Sequence, residues 1–328
     1  RYFELTEGSY DYNSSTCREL RNDITEVKVL SMVKQSELFE RWRTLQLCKW
    51  ELNKTEANTF RSAERERERE SAQGSVCKSV YVCVCVSENV ACCNDGFCWR
   101  LFPPPQEMPY SRSQFKKCAV VGNGGILKKS ECGKEINSAD FVFRCNLPPI
   151  STKYTDDVGV KTDIVTINPS IISERFQKLD KWRRPFVELL QVYENTSVVM
   201  PAFYNTRNTD VSLRVRYALD DFSAPQDLFY FHPRYLENVA RFWGRQGVRA
   251  KRPSSGLMLV TAAMELCQEV HLYGFWGFPM DPSGIHITHH YYDNVKPRPG
   301  FHSMPNEIFT FLHMHSRGVL QVHTTPCR

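Results

Sequence analysis

The sequence predicts an α/β protein, a mostly parallel sheet flanked by helices. Two observations carry that reading: from Tyr110 onward short β-branched runs alternate with helical patterns, and the first run ends in a glycine-rich turn. With 328 residues, 41% apolar and 12% aromatic, the chain is long and apolar enough to bury a substantial core. The strand candidates in order are Cys118-Ala119-Val120-Val121, Phe141-Val142-Phe143, Asp163-Ile164-Val165-Thr166-Ile167, Val198-Val199-Met200 and Val270-His271-Leu272-Tyr273. Between Gly256 and Cys267, Leu257, Val260, Met264 and Cys267 fall on one helical face, so a helix is expected just before the last of these strands.

Ahead of this block lie two segments of different texture. Residues 1–60 carry helical periodicity at Val27, Leu30, Val33 and Leu38, with Cys17 and Cys48 placed so that a disulfide could close the segment, which reads as a stem or N-terminal cap. Residues 61–109 read as an irregular low-complexity insert: Glu and Arg alternate from Glu64 to Glu70, and Val and Cys from Val82 to Val86. Two readings stand for it, a translated run of GA and GT repeats or a charged linker followed by a short strand. On either reading Cys77, Cys83, Cys85, Cys92, Cys93 and Cys98 are no guide to a disulfide framework.

Charge and cysteine usage narrow the function classes. Forty-two basic residues face 37 acidic ones, a net charge of +5 spread too evenly for a nucleic-acid footprint, so no nucleic-acid partner is expected. Thirteen cysteines with no CxxC spacing point to disulfides in an oxidising compartment rather than to zinc. Sequons at Asn13, Asn53 and Asn195 agree with passage through the secretory pathway. No apolar run is long enough to span a membrane, and the opening Arg1-Tyr2-Phe3-Glu4-Leu5 lacks both an initiator methionine and a signal-peptide core, so the chain is expected to be part of a longer protein.

The first constellation with chemistry in it is Gly122-Asn123-Gly124-Gly125, where glycine lets backbone N–H groups approach a phosphate or nucleotide at a strand's carboxyl end. Alone it is a weak signal. A dinucleotide fingerprint needs glycine where Leu127 stands, although Asp140 lies near the expected acidic position, and the Walker ending is absent, so the nicotinamide and ATP readings lose support. His286 and His290 have zinc-ligand spacing, but no glutamate of a metalloprotease helix lies between them and they read as loop histidines. Asp156-Asp157 and Asp220-Asp221 are adjacent pairs, read as solvated charges, and no Asp-x-Asp occurs.

The stretch from Cys118 through Gly122-Asn123-Gly124-Gly125-Ile126-Leu127, Cys132-Gly133 and Phe143-Arg144-Cys145-Asn146-Leu147-Pro148-Pro149 resembles the large sialylmotif of the animal sialyltransferases. Arg252-Pro253-Ser254-Ser255-Gly256 through Cys267 to Tyr273-Gly274-Phe275-Trp276 is similar to the small motif. His290-Tyr291-Tyr292-Asp293, and His302 with Glu307 five residues on, resemble the two remaining short motifs. The Arg-Cys-Asn-Leu-Pro-Pro and His-His-Tyr-Tyr-Asp-Asn runs are similar to the α2,8 branch, and stretches such as Lys296-Pro297-Arg298-Pro299-Gly300 look like its ganglioside-acting members. The likeness covers 1–60 and 107–328 and fails across 61–106.

That resemblance implies a doubly wound, mainly parallel sheet with helices on both faces, a variant nucleotide-sugar glycosyltransferase fold, in a single catalytic domain over 110–328. It implies inverting transfer of sialic acid from CMP-sialic acid, a co-substrate rather than a cofactor, to a terminal sialic acid of a ganglioside glycan. His302 would be the base and His290 the partner of the donor phosphate, two tasks that suit imidazoles. Asn123 and Asn146 would lie near nucleotide and sugar. Ser254, Ser255, Gly256 and Trp276 would line the cytidine side, with core burial as the other reading of Trp276. Ser255 stands where the family commonly has threonine, keeping the hydroxyl and dropping a methyl. Asn168-Pro169-Ser170 would lie at the site's edge. The resemblance also implies disulfides Cys118–Cys267 and Cys132–Cys327 and a lumenal Golgi domain behind one N-terminal, single-pass type II membrane anchor outside this chain. No metal or cofactor is expected, since a single phosphate leaves. Acceptors would be sialylated glycolipids or glycoproteins. The alternative from another class is a lumenal glycan-binding protein that kept the fold without catalysis.

Overall fold

A computed structural model describes residues 10–71, 115–231, 233–248, 250, 252–296 and 302–327. The segment 72–114, with its six cysteines and most of the irregular insert, lies outside the described residues.

Seven strands form one sheet: β1 (Phe115–Val121), β2 (Phe141–Arg144), β3 (Ile164–Thr166), β4 (Ser197–Met200), β5 (Leu228–Tyr230), β6 (Cys267–Tyr273) and β7 (Gln321–His323). The order across the sheet is β5-β4-β3-β2-β1-β6-β7, and every pairing is parallel. The strands run outward from β1 to one edge, then the chain returns to β1's other side as β6. The topological switch point therefore lies between β1 and β6, where Val120 sits opposite Leu272 and Val121 opposite Tyr273.

Alternation along the strands explains why both faces are covered. Cys118, Val120, Phe141, Phe143 and Val199 join one apolar cluster, whereas Ala119, Val121, Val142, Val198 and Met200 join the other. The second face is covered by the helices between β1 and β5: α4 (Gly133–Asn137), α5 (Thr155–Val158), α6 (Pro169–Arg175), α7 (Arg183–Leu190) and α8 (Thr206–Asp221). The first face takes α9 (Pro233–Arg245), α10 (Ser255–Leu266) and α11 (Met304–Ser316), joined by α1 (Ser15–Thr25) and α2 (Gln35–Leu45). The sheet is doubly wound, as expected.

The amino-terminal segment is packed onto this face. Leu38, Phe39, Trp42 and Leu45 of α2 are buried in the first cluster, and the Trp42 indole donates to Thr324 Oγ1 at 2.8 Å. Helix α3 (Lys54–Ser71) runs straight through residue 60, where composition suggested a border. The Arg61 guanidinium reaches across to the carbonyls of Met264, Cys267 and Gln268 at 2.7–2.9 Å. Disulfides join Cys17 to Cys48, Cys118 to Cys267 and Cys132 to Cys327.

Several sequence readings are corrected. Val27, Leu30 and Val33 do not continue a helix into Leu38: α1 ends at Thr25, and the three residues lie in the link to α2, pressed against the core from an irregular backbone. Helix α10 is not one-sided; Ser255 through Met264 are all buried, because α9, α11 and the sheet surround it. Two edge strands, β5 and β7, were not foreseen. Asp157 is no solvated charge: its carboxylate accepts the backbone N–H groups of Lys129 and Glu131 at 2.8 and 3.0 Å, and both donors have positive φ. Asp220 and Asp221 pair with Arg216 and Arg183 on the helix surface.

Of the sequon residues, Asn13 and Asn195 are exposed, whereas Asn53 is half-buried. Its Oδ1 accepts from Glu56 N at 3.2 Å, and its own N–H donates to Gly318 O at 2.9 Å, so this side chain serves as the cap of α3.

Candidate active site

The glycine turn after β1 lies at the switch point, where doubly wound sheets place their ligands. Its backbone is bound into the turn after β6: Gly122 N donates to Tyr273 O at 2.7 Å and Gly124 N to Gly274 O at 2.9 Å. A Cβ on residue 124 would lie 2.6 Å from that same carbonyl oxygen, and Gly274 has φ +72°, so glycine is required on both sides of the contact.

Around the turn the side chains form one polar network. Asn123 Nδ2 donates to Cys145 O at 2.7 Å, leaving its buried Oδ1 without a partner among the described residues, an acceptor available to a ligand. Asn146, at φ +62°, donates its N–H to Thr166 Oγ1 at 3.0 Å and its amide to Ser255 Oγ at 2.8 Å. Ser254 caps α10 by accepting from Leu257 N at 3.0 Å and donates its hydroxyl to Glu307 Oε2 at 2.5 Å. Glu307 is 1% exposed, and burial holds its carboxyl above the usual range even though the Ser254 hydrogen bonds and His302 pull the other way.

Each histidine is fixed by one ring nitrogen. His302 Nδ1 lies 2.9 Å from Arg252 O; a carbonyl can only accept, so Nδ1 carries the hydrogen and the neutral ring keeps its lone pair on Nε2. His290 is bridged to Gly124 through the backbone, and Tyr291 N donates to Asn123 O at 3.0 Å, which holds this segment across the glycine turn. His290 Nδ1 sits 2.6 Å from Asp293 Oδ2, and its ring stacks on Tyr292 at 5.0 Å and 7°. Burial opposes ionisation of Asp293, but the hydrogen bonds from His290 and Val295 outweigh it and leave the carboxyl below its usual range.

Asn123 and His290 are thus tied to the turn itself, Asn146 is joined to Ser255 at the start of α10, and His302 is held by Arg252, two residues before Ser254. Gly256 is buried in α10, where a Cβ would come within 2.8 Å of the Phe275 ring. Trp276 is 5% exposed, packs against Phe39 (tilted) and Phe278 (edge-on) at 5.2 Å each, and its indole donates to Met280 O at 2.6 Å. Asn168, two residues past the Thr166 that holds Asn146, occupies the N-cap position of α6 without a side-chain cap bond; Pro169 lies in the first turn and Ser170 is exposed. Thr166 escaped the sequence reading, and so did Asp293's hold on His290; a threonine ending a strand has no distinguishing neighbours in sequence, whereas His290 and Asp293 at three residues' spacing did offer a signal.

One further group of potential ligands occurs among the described residues, Glu135, His323 and Cys327, but Cys327 is spent in a disulfide. The free thiol among the described residues, Cys145, is buried, and burial, reinforced by Glu307, pushes it up to about 12.

A doubly wound parallel sheet with amides, hydroxyls and two oriented imidazoles at its switch point defines an α/β enzyme of the nucleotide-using transferase class. The chain belongs to glycosyltransferase family 29, the sialyltransferases, whose family model matches residues 95–319. It is 65% identical over 337 aligned positions to the alpha-2,8-sialyltransferase 8E of Homo sapiens, spanning 100% of this chain and 88% of that one. To the alpha-N-acetylneuraminide alpha-2,8-sialyltransferase of Xenopus laevis it is 54% identical over 224 positions, 68% of this chain and 62% of that one. Among solved structures, a mammalian sialyltransferase in complex with Gal-beta-1-3GalNAc-ortho-nitrophenol is similar at 24% identity and a TM-score of 0.49, covering 69% of this chain and 76% of that one.

Proposed function

We propose that this chain transfers sialic acid from CMP-sialic acid to the 8-hydroxyl of a terminal sialic acid on a ganglioside glycan, with inversion. The curated relatives, named for α2,8 transfer, support the linkage. The observation that carries the mechanism is the tautomer of His302: with Nδ1–H donated to Arg252 O, the Nε2 lone pair is held ready to take a proton. The acceptor oxygen attacks the anomeric carbon of the donor, the bond from that carbon to the phosphate oxygen breaks, CMP departs, and the acceptor's proton passes to His302 Nε2. His290, oriented by Asp293, meets the charge growing on the leaving phosphate. Asn123 Oδ1 and the Asn146–Ser255 pair offer polar contacts to sugar and nucleotide.

The reaction needs no metal in this reading, because a histidine and hydrogen-bond donors can meet the charge of a single phosphate. The enzyme works in the Golgi lumen, held by an anchor preceding this segment, where the three disulfides are stable. The test is transfer of labelled sialic acid to a sialylated ganglioside by wild type and His302→Ala. A loss of about 10²- to 10⁴-fold with donor binding retained supports the base; full activity in the variant refutes it. Activity abolished by chelator and restored by a divalent ion would refute the metal-free mechanism.

A further inference from the structure

We propose that Arg252, backed by Tyr204, recognises the carboxylate of the acceptor's terminal sialic acid and so makes the enzyme selective for already sialylated glycans. The inference rests on the α2,8 reading with His302 as base, and names the group that would hold the second substrate at that site.

Three observations meet here. The carbonyl of Arg252 fixes the His302 ring, so this residue's own side chain springs from beside the base. Its guanidinium carbon lies over the Tyr204 ring, 5.3 Å from the centroid, a cation–π contact that restrains the fork. Among the described residues the buried Tyr204 hydroxyl has no hydrogen-bond partner, and burial, against the pull of Arg252, pushes it up to about 12, so it remains a phenol donor. A buried donor left without an acceptor beside a guanidinium is costly in the empty protein and suits an incoming anion.

The chemistry of the acceptor fits this placement. In sialic acid the carboxylate is borne on the anomeric carbon and the glycerol chain, with its 8-hydroxyl, on the carbon across the ring oxygen. A group holding the carboxylate beside His302 therefore brings the 8-hydroxyl toward Nε2, whereas a neutral galactose terminus offers nothing to the guanidinium. Arg252 acts on acceptor binding and orientation, not on the donor, whose contacts lie at Asn123, Asn146 and His290.

The experiment compares one sialylated oligosaccharide as the free acid and as the methyl ester of its terminal sialic acid, which keeps the 8-hydroxyl and removes the charge. Wild type should prefer the acid in kcat/KM by about 10- to 100-fold, the range for a charge-assisted bidentate contact. In Arg252→Gln that preference should fall toward unity, chiefly through the acceptor KM, with CMP affinity kept; Arg252→Lys should restore part of it, and Tyr204→Phe should weaken it several-fold. If Arg252→Gln lowers acid and ester equally, or leaves the preference intact, the assignment is wrong. If Arg252→Gln does not fold, CMP binding reports it, and the Tyr204→Phe preference alone decides. Wild type that transfers to neither form, while still binding CMP, would instead remove the α2,8 reading on which the proposal stands.

Discussion

Lowering the pH from 7 to 5 should destabilise this protein by several kcal/mol through three buried imidazoles. His271, His315 and His323 are pushed down to about 2, 3 and 4, in each case first by burial, with neighbouring positive or ionisable groups adding to it; Glu135 acts against this at His323. The structure shows what protonation would break. His315 Nδ1 accepts from Val322 N at 3.0 Å, and His271 Nδ1 lies 3.1 Å from His323 Nε2, an arrangement that needs one of the two nitrogens unprotonated. Depressed folded values mean that the unfolded chain takes up protons first as pH falls through 6.5, so stability present above that point is lost on the way down. For one ring, neutral in the fold at pH 5 and free to charge at about 6.5 in the unfolded chain, the loss between pH 7 and 5 is about 2 kcal/mol. Three rings acting independently give about 6 kcal/mol, a large share of an ordinary domain's stability. The carboxyls of buried Glu307 and half-buried Asp163, raised first by desolvation, act in the opposite sense. The clean readout is therefore a difference: urea unfolding at pH 7 and 5 for wild type and His323→Phe, disulfides intact. The variant should lose about 2 kcal/mol less than wild type on acidification. Equal pH-dependent losses in the two proteins, or a wild type as stable at pH 5 as at pH 7, would refute the reasoning.

Ser254→Ala should destabilise the fold by about 2 to 4 kcal/mol, by removing the cap of α10 and leaving the buried Glu307 carboxylate short of a donor; a melting point within a degree of wild type would contradict it. Cys145, a buried thiol pushed up to about 12, should resist iodoacetamide in the native protein and react once it unfolds. Peptide mapping of the alkylated site reads this directly, and native labelling at Cys145 would show that the interior opens readily.

The five strands with β-branched runs were legible because burial on both faces demands continuous apolar sequence, as in Cys118-Ala119-Val120-Val121. Strands β5 and β7 were not, since three residues such as Gln321-Val322-His323 are too short for a period and pair only at the sheet's margin. The candidate residues Asn123, Asn146, Ser254, Ser255, His290 and His302 were legible mainly through likeness to a family, since local pattern alone singles out only the glycine turn. Local pattern could not reveal the partners that are distant in sequence, Thr166 for Asn146, Glu307 for Ser254 and the Arg252 carbonyl for His302. The helical period through Val27, Leu30 and Val33 misled because apolar residues in a close-packed link face the same core as a helix would.

Trp276 links the candidate site to the amino-terminal helices. The loop from Gly274 to His290 carries both the carbonyl that binds the glycine turn and the histidine that Asp293 orients. Its aromatic anchors, Trp276 and Phe278, are packed on Phe39 of α2 at 5.2 and 5.1 Å. The same helix is tied through Trp42 to Thr324, close to the Cys327 that holds Cys132. Close-packed interiors transmit displacement rather than absorb it. The indole is therefore wedged between the amino-terminal helices and the loop that carries His290, and α2 helps to set the position of that loop.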